Sequence, residues 1–283
     1  MDFSLSPELT ELRRRVRAFM DERVLPAEAA VIAEDRERRY DTLRALQAQA
    51  REAGLFVPHL PPEHGGLGLG IMGMCVLFRE MGRSPVGARA FNCDAPDQGN
   101  MDLLLSVGTA AQKERYLAPL ARAEITSAFC MTEPAPGAGA DPSNLRTRAT
   151  PTPDGGFVLS GHKWYSIGGE DAASVIVTAR TADPAPRDPS APKGSARDGG
   201  EATLFLVERR APGVEFVRNV ATLAPELLAH REAEFRFHDV RVGPEAVLGR
   251  VGEGFRLAQV RLVPARLTHC MRWLGLAERA LQL

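Results

Sequence analysis

The spacing of apolar residues changes once along this chain, and that change limits what each part can fold into. Through residue 122 apolar side chains return every three or four positions, the period of a helix face; from Ile125 they return every second position, the period of a strand. In the first part, Ser6-Pro7 supplies an N-cap and a first-turn proline, and Leu9, Leu12, Val16, Phe19 and Met20 form one face, with Pro26 expected to end the helix. Leu43, Leu46 and Ala50 predict a second helix over 41–53 that stops at Gly54. Further helices are predicted over 71–81 and 97–107, the latter with Met101, Leu104 and Leu105 inward. Thr109 caps another, whose Tyr116, Leu117 and Leu120 face a core.

After the change, short strands are predicted over 125–132, 145–150, 157–160, 163–167, 174–181, 203–208, 214–219 and 233–242, separated by turn residues. That many short strands joined by hairpins specify an antiparallel barrel or sandwich. The segment 183–201, rich in Pro, Ser, Gly and Arg, reads as a mobile surface loop. Gly252-Glu253-Gly254-Phe255 starts a last helix to Leu283, with a kink expected at Pro264; it lacks the third glycine of a dinucleotide fingerprint. The fold class is therefore α+β: an all-α domain over 1–124, a central antiparallel β-barrel or sandwich over 125–245, and over 246–283 the start of a C-terminal helical bundle. The stripe of Leu274, Leu276, Ala277, Ala280 and Leu281 needs a packing partner, so the chain is expected to be a homo-oligomer or to associate.

Composition excludes several classes. With 35 basic and 36 acidic residues interspersed, no basic stripe forms, which argues against nucleic acid. No apolar run approaches the ~20 residues of a membrane span, and the acidic, amphipathic N-terminus is not a signal peptide. Cys75, Cys93, Cys130 and Cys270 lie far apart in apolar settings, as reduced, buried thiols of a cytoplasmic protein do. The six histidines show no ligand spacing, so no metal site is expected.

One stretch, 125–169, combines features of a site. The run Ile125–Thr132 reads as a buried strand that Thr132-Glu133-Pro134 ends. The loop from Ala135 to Ala140 exposes backbone with little side chain, which lets a flat or anionic ligand approach. Gly161-His162-Lys163-Trp164-Tyr165-Ser166-Ile167-Gly168-Gly169 then sets two aromatics beside paired glycines, a stacking wall for a ring system or ordinary sheet core.

The wording of this stretch resembles a known family. Met-Thr-Glu-Pro at 131–134, Asp141 and Gly-x-Lys-Trp at 161–164 resemble the flavin-binding signature of acyl-CoA dehydrogenases. Similar phrases recur in order: Pro62-Glu63-His64-Gly65-Gly66-Leu67-Gly68, the run from Gly108 to Ala121, and Gly275 to Leu281. Asn92–Met101 and Leu267–Arg272 are most similar to the long- and branched-chain subgroup sometimes fused to a kinase-like domain. The resemblance implies FAD as cofactor, an acyl-CoA substrate, an electron-transfer flavoprotein or similar acceptor, and α,β-dehydrogenation by α-proton abstraction with β-hydride transfer to the flavin.

By the same match, Phe129, Met131 and Thr132 would line the flavin, Trp164 and Tyr165 would wall it, and Ser166 would lie beside it. Ala140 and Arg266 would lie on the acyl-CoA side. Three positions depart from the family pattern. Ala140 stands where a serine precedes the loop Asp, and Ile167 stands where a Thr or Ser bonds near the flavin. Ala265, before Arg266, stands where some members carry the catalytic base; the usual base is expected beyond Leu283. A non-catalytic flavin- or acyl-CoA-binding relative or scaffold is the alternative that these departures raise.

Overall fold

The computed structural model describes residues 4–37, 39–141, 144–182, 201–222 and 231–283. They form two compact units, one of residues 4–99 and 262–283, the other of residues 100–222 and 231–261. The expected loop over 183–201 falls, apart from Glu201, outside the described residues.

The first unit is helical. α1 (Pro7–Phe19) starts at Ser6, whose hydroxyl accepts from the Leu9 amide. Pro26 does not end the run. A π-helical turn over Met20–Val24 leads directly into α2 (Leu25–Arg36), which seats Pro26 in its first turn. A proline there withdraws no amide that the preceding turn needs, so the helical direction continues. α3 (Asp41–Glu52) and α4 (Ile71–Met81) follow as expected, and α5 (Gly87–Ala90) is a single added turn. Leu43, Leu46, Leu77, Phe78, Met81 and Phe91 are buried in the unit. Side chains of this size each contribute about 1.5–3 kcal/mol on full burial.

α9 (Gly254–Gln282) is one helix that contains Pro264, and its second half belongs to this unit. Gly82 on the α4 side and Gly275 on α9 each face the other segment's backbone with no room for a Cβ, which lets the two helices approach closely. Ion pairs of Arg79 with Glu278, Arg272 with Asp94, and Arg279 with Glu28 flank that contact. Another face of the helix is exposed among the described residues: Trp273 is 64% and Leu281 89% exposed, and Val263, Leu267, Leu274 and Leu276 are exposed too.

The second unit starts within α6 (Asp97–Val107) and continues through α7 (Ala110–Gln112), a π-helical turn over Lys113–Leu117, and α8 (Ala118–Ala121). Thr109 and Gln112 form a reciprocal capping box. Contact therefore groups residues 100–124 with the sheet: Gln112 donates to the carbonyls of Glu245 and Val247, at 2.8 and 2.9 Å.

The strands are β1 (Ser127–Cys130), β2 (Arg148–Pro151), β3 (Phe157–Ile167), β4 (Ser174–Arg180), β5 (Ala202–Glu208), β6 (Val214–Val220), β7 (Glu232–Val242) and β8 (Val247–Leu248). Hydrogen bonding orders them β6-β7-β3-β2-β4-β5-β8, with β1 against β4. The sheet is mostly antiparallel; β1 and β2 pair with β4 in parallel. The two strands expected over 157–160 and 163–167 are one strand carrying two register shifts. Inward residues of β1, β3, β4, β5 and β7, among them Cys130, Leu159, Val177, Phe205 and Phe235, share one core, so the sheet curls around its own side chains.

All four cysteines are free. Cys93 and Cys130 are buried as expected, but Cys75 is half-buried and Cys270 exposed, because α9 presents Cys270 on its outward face. No helix among the described residues is long and apolar enough to cross a membrane.

Candidate functional site

The alternation of β1 separates two sets of side chains. Ala128 and Cys130 enter the sheet core, while Ser127 and Phe129 take the other face. Both outward residues are pinned by polar contacts. The Arg261 guanidinium lies over the Phe129 ring, 4.2 Å from its centroid, and donates to the Asn100 side chain at 2.9 Å. Fully buried Asn100 in turn donates to the Ser127 hydroxyl at 2.8 Å. Nearby on α6, burial pushes the Asp102 carboxyl up to about 7, with the Arg261 charge pulling the other way.

Past Cys130 the chain runs beside β3. The Trp164 amide donates to the Thr132 carbonyl at 3.1 Å, and the Lys163 ammonium donates to the Met131 carbonyl at 3.0 Å. β3 shifts register between Lys163 and Ser166, and Tyr165 takes a left-handed backbone with φ +50°. As a result Lys163 and Ser166 both turn inward and are fully buried. The rings of Trp164 and Tyr165 lie together, centroids 4.8 Å apart. Tyr165 is exposed; the Trp164 indole N–H is buried with no hydrogen-bond partner among the described residues.

Behind this wall sits a buried ion pair. Glu133 and Lys163 are 2.9 Å apart, and neither is more than 2% exposed. The same carboxylate accepts from the amides of Ala138, Arg146 and Thr147, at 3.1, 2.7 and 2.9 Å. Burial opposes the charge on Glu133, but the Lys163 ammonium and the Thr147 donors outweigh it and hold the carboxyl down to about 2. The Pro134–Gly139 loop is thus tied to both β3 and the start of β2. Burial also raises the Cys130 thiol to about 11, against the pull of the Ser166 hydroxyl and the Lys163 ammonium beside it.

The structure therefore brings Phe129, Met131, Thr132, Trp164 and Tyr165 into one neighbourhood and turns Ser166 toward Cys130. Ala140 is exposed at the end of the loop. Arg266 is exposed on the half of α9 that belongs to the helical unit, next to half-buried Ala265, whose carbonyl accepts from the Thr268 hydroxyl at 3.1 Å. Among the described residues no cluster of His, Cys, Asp or Glu could hold a metal ion.

Four residues of the site escape a reading by spacing: Asn100, Glu133, Lys163 and Arg261. For two of them a signal existed. Glu133 and Lys163 are the acid and base set into the two apolar, aromatic runs, and buried charges come in pairs.

Two family models match the chain: the acyl-CoA dehydrogenase N-terminal domain over residues 6–124 and the middle domain over residues 128–240. The chain belongs to the acyl-CoA dehydrogenase family. It is 36% identical to a probable acyl-CoA dehydrogenase of Mycobacterium tuberculosis, a match that covers 100% of this chain and 68% of that protein. It is 35% identical to acyl-CoA dehydrogenase family member 10 of the mouse, over 99% of this chain but only 26% of the mouse protein. The structure of a putative acyl-CoA dehydrogenase from Mycobacterium abscessus superposes with a TM-score of 0.85 at 36% identity, covering 99% of this chain and 69% of that one. The chain thus spans about a quarter of the mouse protein and about two thirds of the mycobacterial ones. The models change from N-terminal to middle domain between residues 124 and 128, where the sequence period changes.

Proposed function

We propose that this chain carries the flavin-facing part of an acyl-CoA dehydrogenase, with Phe129, Met131, Thr132, Trp164 and Tyr165 as the wall against FAD. The observation that carries the reading is the strand end itself, where the Trp164 amide donates to the Thr132 carbonyl at 3.1 Å and the exposed Tyr165 ring lies 4.8 Å from that of Trp164. An exposed aromatic face beside a strand end is a surface on which a flat ring system can stack. The residues present fit the group: a bare strand end, a hydroxyl at Thr132, and an exposed aromatic at Tyr165. Ile167 offers no hydroxyl and packs only.

FAD, when bound there, supplies the hydride acceptor. The chain's own residues orient and exclude. Glu133 and Lys163 lock the loop that follows Thr132, so the wall is held before ligand arrives. Arg261 lies over the Phe129 ring and holds it in place, and would add positive charge beside the wall. Arg266 is proposed for the acyl-CoA side, as is the backbone at Ala140; an electron-transfer flavoprotein or similar protein would take the electrons. A second reading, a binding protein without the chemistry, is favoured by Ala265, which places a methyl group where a base would stand in some family members.

The test is a visible absorption spectrum of the purified chain before and after addition of FAD and a saturated acyl-CoA. A flavin band that bleaches with acyl-CoA supports the dehydrogenase. A band that persists supports the second reading, and no band refutes the flavin wall itself.

A further inference from the structure

On the sheet unit, the loop over 134–137 overhangs a cleft of about 330 Å³ floored by β3 and β7. That volume lies at the small end of ligand-sized sites, about 300–1,000 Å³. None of the five residues of the proposed flavin wall lines it. Four cationic or ionisable side chains do: Arg146, His162, Arg236 and His238.

What sets this cleft apart is that its acids are already occupied. Glu133, the only carboxylate in the lining, has its charge met by Lys163 and three amides. On the neighbouring positions, Glu234 is held by Arg218 at 2.8 Å and His162 at 2.7 Å, and Glu215 by His238 at 2.8 Å. Arg236 itself stands in register opposite His162 on β3 and Glu215 on β6, and lines the cleft. Neither its guanidinium nor that of Arg146 has a hydrogen-bond or ion-pair partner among the described residues. Two uncompensated guanidinium forks facing one small concave space match the geometry of a phosphate or similar oxyanion, which such forks bind in a bidentate manner.

We infer that this cleft is an anion-binding site for a phosphate group, with Arg146 and Arg236 as its charged contacts. The phosphate is either a free ion or the phosphomonoester end of a larger molecule. Coenzyme A is the probe for the second source, and only that arm rests on the acyl-CoA reading.

The experiment is isothermal titration of the chain with inorganic phosphate, coenzyme A and dephospho-coenzyme A, repeated on the R146Q/R236Q and R146K/R236K variants. Removing one or two charge-assisted bonds should weaken binding about 10- to 100-fold in the Gln variant. The Lys variant keeps the charge and should retain part of the affinity. Variant-sensitive binding of inorganic phosphate assigns the site to a free ion. A preference for coenzyme A over its dephospho form that disappears in the Gln variant assigns it to a phosphomonoester. Affinities unchanged by both variants, or no binding of any probe by the wild type, overturn the inference. The flavin band of the same samples reports on the proposed flavin wall separately, so failure of one leaves the other standing.

Discussion

Glu133 and Lys163 in the sheet unit and His59 in the helical unit are buried in opposite ways. In the sheet unit, Glu133 and Lys163 are both out of water, and both of these charges meet partners: four donors reach one carboxylate, and the ammonium also meets the Met131 carbonyl. In the helical unit, His59 sits in the turn-rich corner with both ring nitrogens buried and no hydrogen-bond partner among the described residues. Burial alone pulls its pKa down to about 3, so the ring is neutral. The pair anchors a loop against two strands; the histidine fills space.

The sharpest way to break this comparison is Glu133→Gln. It takes the carboxylate partner away from the buried Lys163 side chain, and should destabilise the chain by about 3–5 kcal/mol in urea or guanidinium unfolding. A loss below about 1 kcal/mol would show that the pair is idle. Gly161→Ala disturbs the same cage without touching a charge. The added methyl would meet the Cβ and Cγ2 of Thr147 at 2.6 Å, and Thr147 supplies one of the amides on Glu133. An overpacking loss of about 1–3 kcal/mol is expected from the same measurement.

Acid separates the two regions along the pH scale. The unfolded His59 ring takes a proton below about pH 6.5, but the folded ring resists until about 3, so acid favours unfolding from pH 6.5 downward. From pH 7 to 5 this removes about 2 kcal/mol. Glu133 acts lower: its folded pKa of about 2 lies below the ordinary 4.5, so its contribution holds above 4.5 and is lost as pH falls from 4.5 toward 2. Unfolding free energies at pH 7, 6, 5 and 4 should therefore decline in two stages. His59→Leu should erase the first stage and, at pH 7, change stability by no more than about 1 kcal/mol, since no hydrogen bond is lost. A large loss at pH 7 would mean that the ring has a partner after all.

These contrasts also mark what the sequence could disclose. Caps and periods locate elements, so the helices over 71–81 and 97–107, the Thr109 cap and most strands fall where spacing puts them. Local rules failed at Pro26, where a π-helical turn carries the helix past a residue that usually stops one. They also could not show that β1 and β2 run parallel to β4, because alternation reports which face is buried and not which neighbour is paired. The site divides likewise. The aromatics and Thr132 stand in recognisable phrases, and Glu133 and Lys163 stand inside the same phrases, 30 residues apart. The contact of Arg261 with Phe129 joins α9 to β1 across 132 positions, and nothing local announces it.

The left-handed turn at Tyr165 acts as a phase error in an otherwise binary code. Up to Lys163 the strand counts inside, outside; after one irregular step it resumes counting with the parity reversed. Two neighbouring rings thereby share a face that strict alternation would have split between them, and a serine is delivered to the interior three places after a lysine. A family comparison that matches letters column by column misassigns sides here unless it carries the slip along. A chain that lost the slip would keep every residue of the wall and present half of it to the wrong side.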